Sequence, residues 1–276
     1  MNNQTIIAPL ISVLMPAYNA EKYIGEAIES ILSQSFSAIE LIVIDDCSVD
    51  MTYEVAARYA NKDRRVRLIK NSQNLGIAGN RNKAIGLVNT KYLAWQDADD
   101  VSMNNRLELQ YEFLEKHPTV GIVGGGMEIF NHSKILGYRH YPQVDKVIRE
   151  KIFRFSPIAQ PAAMIRTDAI KEAGLYDLSL PPAEDLDMTF RIGSRYQLAN
   201  LDEIVIRYRI SDSSATSVSQ RRIEKNTLRI RYKYMHSNLY KLDLSSIIFN
   251  LLHLISLWII PARLKRWIFS KWRDSQ

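Results

Sequence analysis

Four short apolar runs in the first hundred residues constrain the fold most, because each closes on polar side chains. Leu10–Met15 (LISVLM) runs into Pro16, Ala17, Tyr18 and Asn19. Ile39–Ile44 (IELIVI) ends in Asp45-Asp46. Val66–Ile69 is shorter, and Tyr92–Gln96 leads straight into Asp97-Ala98-Asp99-Asp100. Runs of this length with polar punctuation read as buried strands. The segments between them read as helices. Glu21–Ser33 carries Tyr23, Ile24, Ala27, Ile28, Ile31 and Leu32 at helical spacing. Ser48–Asp50 can cap a helix running to about Tyr59. Residues 77–88 follow the turn Asn74-Leu75-Gly76, and residues 103–116 stop near Pro118. This alternation predicts an α/β fold, with a mainly parallel sheet flanked by helices and right-handed crossovers. Ligands of such sheets bind outside the carboxyl ends of the strands, where the polar residues named above collect.

The second half is less regular. Val120–Val123, Ala162–Ile165 and Val205–Ile210 read as strands, and Ala183–Ser194 as a helix with acids in its first turn. Gly124-Gly125-Gly126 reads as a backbone bend. No G-x-x-x-x-G-K-[ST] loop, no G-x-G-x-x-G after the first strand, no zinc-spaced His/Cys set and no G-x-S-x-G elbow is present. The lone Cys47 excludes an internal disulfide and suits a reducing compartment. The N-terminal segment lacks a basic stretch before its apolar run, so no signal peptide is expected.

Asp97 and Asp99, one residue apart after a buried strand, can face one side of an extended segment. Hard carboxylate oxygens suit Mg2+ or Mn2+, which keep water and substrate phosphates in their other positions. The alternative for such a pair is a solvated loop with helix-capping acids, which also describes Asp100.

Four segments, ISVLMPAYNAEKYIGEAIESILSQSF, LIVIDDCSVD, NLGIAGNRNKAIGLVNTKYLAWQDADD and PAEDLDMTFRIG, occur in this order. Together they resemble the family 2 inverting glycosyltransferases of bacterial surface-polysaccharide synthesis, which have the GT-A fold. The resemblance covers about residues 10–212. It implies that Pro16, Ala17, Tyr18 and Asn19 pack on a nucleotide and that Asp46 meets the uracil edge. It implies that Arg81 lies near the donor, that Asp97 and Asp99 form the metal-binding DxD motif with Asp99 as direct ligand, and that Asp185 of the pair Glu184-Asp185 is the general base. Arg209 precedes a loop that closes over the diphosphate in some members. Two positions depart from the pattern: Gln160 and Ser211 stand where many relatives have His.

The chemistry fits these parts. A divalent ion stabilises the charge on a departing diphosphate, and one carboxylate suffices to take the proton from an attacking hydroxyl. Adjacent residues on a helix point about 100° apart, so Glu184 and Asp185 cannot both face one reacting atom; the resemblance implies Asp185 as the base and Glu184 as an acceptor contact or support, the alternative being that both are acids of a helix N-terminus.

The formal net charge of +6 is a property of the tail: residues 221–276 hold 12 Lys/Arg against 3 Asp/Glu. Ile247–Ile260 is apolar and ends at Pro261, short of the ~20 residues that a spanning helix needs. Asp243, Ser246, Asn250 and His253 recur every three or four residues, a polar stripe on an apolar helix. Beyond it Arg263, Arg266 and Arg273 alternate with Leu264, Trp267, Ile268 and Trp272. Cations with Trp suit the headgroup level of a bilayer. The tail is read as a monotopic membrane contact, with a helical hairpin packed on protein as the alternative.

The expectation is one GT-A-like domain over residues 1–220, with a nucleotide-sugar half to about 118 and an acceptor half from 119, plus a helical, basic extension over 221–276. Its function is metal-dependent (Mn2+ or Mg2+) inverting transfer of a sugar, from UDP in the first instance, to a glycan or lipid-linked acceptor. The setting expected is the cytoplasmic face of the inner membrane. A nucleic-acid partner is not expected, because the tail's cations interleave with a long aliphatic run. The rival readings are a sugar-phosphate nucleotidyltransferase and an inactive nucleotide-binding scaffold.

Overall fold

The computed structural model describes residues 8–132, 134–210 and 220–259. The N-terminal half follows the alternation read from the sequence. Strand β1 (Ile11–Ala17), helix α1 (Ile24–Leu32), β2 (Ile39–Asp45), α2 (Thr52–Ala60), β3 (Val66–Lys70), α3 (Gly76–Ile85) and β4 (Tyr92–Trp95) succeed one another. They form the parallel order β3-β2-β1-β4. β1 and β2 are apolar on both faces because helices cover both. Ile11, Val13 and Met15 face α1 with Ile24, Ile28 and Ile31, whereas Leu14, Ile42 and Ile44 face α3 with Ala78, Ala84 and Ile85.

After the two-residue strand β5 (Val101–Ser102), α4 (Arg106–Lys116) returns the chain to β6 (Val120–Asn131), which turns into β7 (Lys134–Arg139). Then come α5 (Asp145–Lys151), a 3-10 turn at Gln160–Ala162, β8 (Met164–Arg166), α6 (Thr167–Ala173), α7 (Glu184–Gly193) and β9 (Gln197–Arg209). The described strands make one nine-stranded sheet, continuing β4-β8-β6-β9-β5 with β7 beside β6. β8 pairs antiparallel with β4 and β6, and β9 lies parallel to β6.

Gly124–Gly126 lies inside β6 instead of forming a separate bend. A Cβ at Gly125 would come 2.7 Å from Val205 Cγ2, and one at Gly126 2.8 Å from Ile204 Cδ1. β9 therefore requires glycines there, and the pairing register slips across them.

Helices α8 (Gln220–Tyr234) and α9 (Leu244–Ile259) complete the described chain. Ile230 and Tyr240 join Phe153, Leu180, Leu186 and Phe190 in one apolar cluster. The Phe190 ring stacks on Tyr234 at 4.3 Å, and Tyr240 Oη donates to the Phe190 carbonyl at 2.5 Å. The loop SDSSATS and the segment with Trp267 and Trp272 lie outside the described residues.

Candidate active site

The carboxyl ends of β1, β2 and β4 converge as the topology requires. After β1, Tyr18 is 52% exposed, while Pro16 and Ala17 continue the strand. Asn19 takes φ +51°, a conformation that Asn tolerates better than most residues. Its N–H donates to Ser48 Oγ at 2.9 Å, and its Oδ1 accepts from the Val49 N–H at 3.0 Å. Asn19 thus ties the loop after β1 to the loop after β2.

Asp46 is 3% exposed. Its Oδ1 accepts from Asn71 Nδ2 (2.6 Å) and the Leu75 N–H (2.9 Å), and its Oδ2 from the Gly76 N–H (2.9 Å). Three of roughly four acceptor sites of the carboxylate therefore hold the turn into α3, leaving one on Oδ2. This bracing role was not legible in the sequence.

The acidic loop after β4 is supported from below by two residues that sequence reasoning missed. Gln96 Nε2 donates to the carbonyls of Asp97 (3.0 Å) and Asp100 (2.9 Å). Gln96 Oε1 accepts from Ser102 Oγ (2.6 Å) and Arg106 Nη1 (3.2 Å), and Arg106 Nη2 reaches the Trp95 carbonyl at 2.7 Å. Burial lowers the Arg106 pKa to about 10 despite the nearby Asp100 and Asp97. Asp97 and Asp99 remain partly open. Burial, then the charge of Asp97, raises Asp99 to about 6. Asp100 is pushed well above the carboxylate range by burial and by Asp99 and Asp97, and its Oδ2 has no partner. Burial and mutual repulsion thus disfavour charging Asp99 and Asp100 together. Among the described residues no group of three or more acidic, His or Cys ligands is placed to hold a metal ion. Two carboxylates with open positions still fit a hard cation shared with a phosphate-bearing ligand.

Arg209 arrives from β9 and is 7% exposed. Its N–H donates to Asp100 Oδ1 at 2.8 Å, its Nε to the Asp99 carbonyl at 2.8 Å, and its Nη2 to Glu26 Oε2 at 2.5 Å. The guanidinium lies 4.4 Å from both the Tyr23 and Phe130 ring centroids. Its backbone N–H and Nε thereby hold the acidic loop. The loop expected to close after it lies outside the described residues.

Arg81, on α3, joins the two acidic motifs. Its Nη1 lies 2.6 Å from Glu184 Oε1 and its Nη2 3.6 Å from Asp97 Oδ1. Burial would lower its pKa, but Glu184, Asp97 and Asp185 outweigh burial and hold it above its ordinary value. Glu184 is 1% exposed and its Oε2 has no partner. Asp185, next along α7, keeps one short contact, its Oδ1 accepting the Leu186 N–H at 2.8 Å. Burial and the charge of Glu184 raise Asp185 to about 6, so near neutral pH it is an ionised carboxylate with little hydrogen bonding to the protein. The two neighbours diverge, as helix geometry requires. Gln160, where relatives have His, donates to Tyr176 Oη at 2.5 Å and is part of the wall behind Arg81.

Residues 12–174 match the family model described as "Glycosyl transferase family 2". The chain belongs to that family. This family 2 glycosyltransferase is 31% identical over 212 residues to the UDP-Glc:alpha-D-GlcNAc-diphosphoundecaprenol beta-1,3-glucosyltransferase WfgD of Escherichia coli, covering 75% of this chain and 80% of that one. It is 28% identical over 260 residues to an uncharacterised glycosyltransferase of Haemophilus influenzae, covering 91% and 80%. Among solved structures it resembles S. aureus TarS 1–349 in complex with UDP-GlcNAc, at TM-score 0.66 and 22% identity over 88% of this chain and 71% of that one. It spans 41% of another, longer TarS chain. The mannosyltransferase PcManGT of Pyrobaculum calidifontis, in complex with GDP-Man and Mn2+, matches at TM-score 0.66 and 17% identity, covering 91% and 70%. These structures share the GT-A fold with this glycosyltransferase.

Proposed function

We propose that this enzyme transfers a sugar, with inversion, from a nucleoside-diphosphate donor to a hydroxyl of a glycan or lipid-linked acceptor in surface-polysaccharide synthesis. The observation that carries this reading is the Arg81 bridge, which sets the acidic loop and the Glu184-Asp185 pair against one guanidinium. The donor diphosphate belongs at Asp97 and Asp99, the nucleoside along Pro16–Asn19, and the base beside the remaining acceptor site of Asp46. That single acceptor suits the imide N–H of uracil, and UDP-linked sugars are named for WfgD and TarS.

Asp97 and Asp99 would hold Mn2+ or Mg2+, which when bound supplies Lewis-acid stabilisation of the leaving diphosphate. Asp185 accepts the acceptor hydroxyl's proton as the oxygen attacks the anomeric carbon; a direct displacement of this kind inverts that centre. Glu184 holds Arg81, and Arg81 holds Asp97. Arg209 and Gln96 fix the backbone of the acidic loop. Residues 1–220 carry all of these groups, and 221–276 form the extension.

The test is a thermal-shift panel of UDP, GDP, dTDP and CDP, with and without Mn2+, on wild type and Asp99→Asn. It is followed by transfer assays with the UDP-sugars and NMR of the product anomer. A ligand specific to the folded state stabilises it by about 2.7 kcal/mol at a hundred times its Kd. A Mn2+-dependent shift with one diphosphate, lost in the variant, is expected; a flat panel overturns the donor site, and retention of the donor's anomeric configuration overturns inversion.

A further inference from the structure

Helix α9 is inside out. Its polar stripe faces the rest of the protein: Ser246 and His253 are buried, Ser246 Oγ accepts from Arg154 Nε at 3.1 Å, and Asn250 Nδ2 donates to the Phe153 carbonyl at 2.8 Å. Arg231 of α8 reaches Asn250 Oδ1 at 3.2 Å. The opposite face carries Leu244, Ile247, Ile248, Leu251, Leu252 and Ile255, all exposed, with Leu244 at 72% and Leu252 at 61%. Their three- and four-residue spacing makes one continuous stripe. A soluble surface rarely leaves such a patch open. At 16 residues α9 is short of a span, and among the described residues no helix is long and apolar enough to cross a membrane.

The neighbouring helix supplies charge. On α8, Arg221, Arg222, Lys225 and Arg229 are exposed. At about 100° per residue they occupy one side, together with the 72% exposed ring of Tyr232. An exposed aliphatic stripe on one helix and exposed cations with an aromatic ring on the helix it touches complement an anionic lipid surface and not a neutral protein face.

We propose that α9 lies in the plane of an anionic phospholipid bilayer, its Leu244–Ile255 stripe among the acyl chains and the α8 cations at the headgroups. This docking would hold the catalytic pair close to lipid. Asn226 of α8 donates to the carbonyls of Leu180 (2.7 Å) and Pro181 (3.0 Å), just before Glu184. Lys233 Nζ lies 2.8 Å from Asp187 Oδ1, on α7 itself. The consequence for a lipid-linked acceptor rests on the function proposed above; vesicle binding does not.

The experiment is flotation of the full chain with phosphatidylglycerol/phosphatidylethanolamine vesicles and with phosphatidylcholine vesicles, beside analytical ultracentrifugation without lipid. The wild type should float with the anionic vesicles and much less with the zwitterionic ones. Leu251→Glu/Ile255→Glu should lower the bound fraction at least tenfold while keeping the Tm and the response to nucleoside diphosphate. Lys225→Glu/Arg229→Glu, which leaves the aliphatic stripe intact, should abolish the preference for anionic lipid. Absence of wild-type flotation overturns the proposal. So does undiminished binding of the Leu251→Glu/Ile255→Glu protein, which moves the lipid contact to another segment. A wild-type dimer that this variant converts to monomer also overturns it, making the stripe a contact between two copies. Vesicle binding without any sugar transfer leaves the docking surface standing and removes the acceptor reading alone.

Discussion

Arg81 and Glu184 form an almost fully buried ion pair, 2.6 Å between Nη1 and Oε1, although 103 residues separate them in the chain. The same guanidinium extends its other amino group toward Asp97. The pair makes the positions of α3 and α7 depend on one another. Removing one partner from a buried pair leaves an uncompensated charge, which costs about 3–5 kcal/mol, whereas removing both costs far less. Arg81→Met should therefore lower unfolding stability by about 3–5 kcal/mol in urea titration, and Arg81→Met/Glu184→Gln should recover most of that loss without recovering transfer.

Asp185 gives opposite expectations for activity and stability. General-base removal costs roughly 10²–10⁴-fold, so Asp185→Asn should lose at least about 100-fold in kcat while keeping donor binding. The wild-type rate should fall as pH drops through about 6, where this carboxylate protonates. For stability the sign reverses. A carboxyl raised from 3.8 to about 6 binds its proton more tightly folded than unfolded, so it destabilises the fold above pH 6, and this penalty disappears as pH falls toward 4. Asp185→Asn should melt higher than wild type at pH 8, and the two curves should approach each other near pH 4.

Metal affinity should follow the ionisation of Asp99. A ligand must be deprotonated to bind, and Asp99 sits near 6 through burial and the Asp97 charge. The apparent Mn2+ affinity in the presence of nucleoside diphosphate should fall about tenfold between pH 7 and pH 5, as read by titration calorimetry. Asp99→Asn should abolish this pH dependence together with most of the affinity.

Gly125→Ala tests the packing behind the site. Its Cβ would meet Val205 Cγ2 at 2.7 Å and Cγ1 at 2.8 Å, and overpacking of this kind costs about 1–3 kcal/mol. The Tm should drop, and Gly125→Ala/Val205→Ala should restore part of it.

The parallel half of the sheet was legible because β1, β2 and β4 are short, mostly apolar runs closed by polar residues, Tyr18-Asn19 after β1 and acids after β2 and β4. β6 was legible only to Val123. Three glycines interrupt its pattern, and glycine argues against a strand until the side chains of Ile204 and Val205 are seen to occupy the space above it. β7 shows little: Lys134, Ile135, Leu136 and Tyr138 are exposed, so no buried face marks it. The acids of the site stood out by type and spacing, whereas their supports did not. Arg106 within RLELQYEFLEK reads as an exposed helical cation, yet it is fully buried beneath the Gln96 hydrogen bonds. Asp46 and Arg209 were located by motif, but only tertiary geometry reveals how much of their hydrogen-bonding capacity is already spent.

The way α8 meets α7 bears on how this chain can be shortened. Tyr234 stacks on Phe190, and Tyr234 Oη donates to Asp187 Oδ1 at 3.0 Å; Tyr240 meets the same ring edge to face at 4.8 Å. A truncation at residue 220 would open Phe190, Leu186 and Leu180 to water and strip Asp187 of two partners, two residues from the proposed base. The shortest expression boundary that respects the core therefore falls beyond Tyr240, and crystallisation fragments should be cut there.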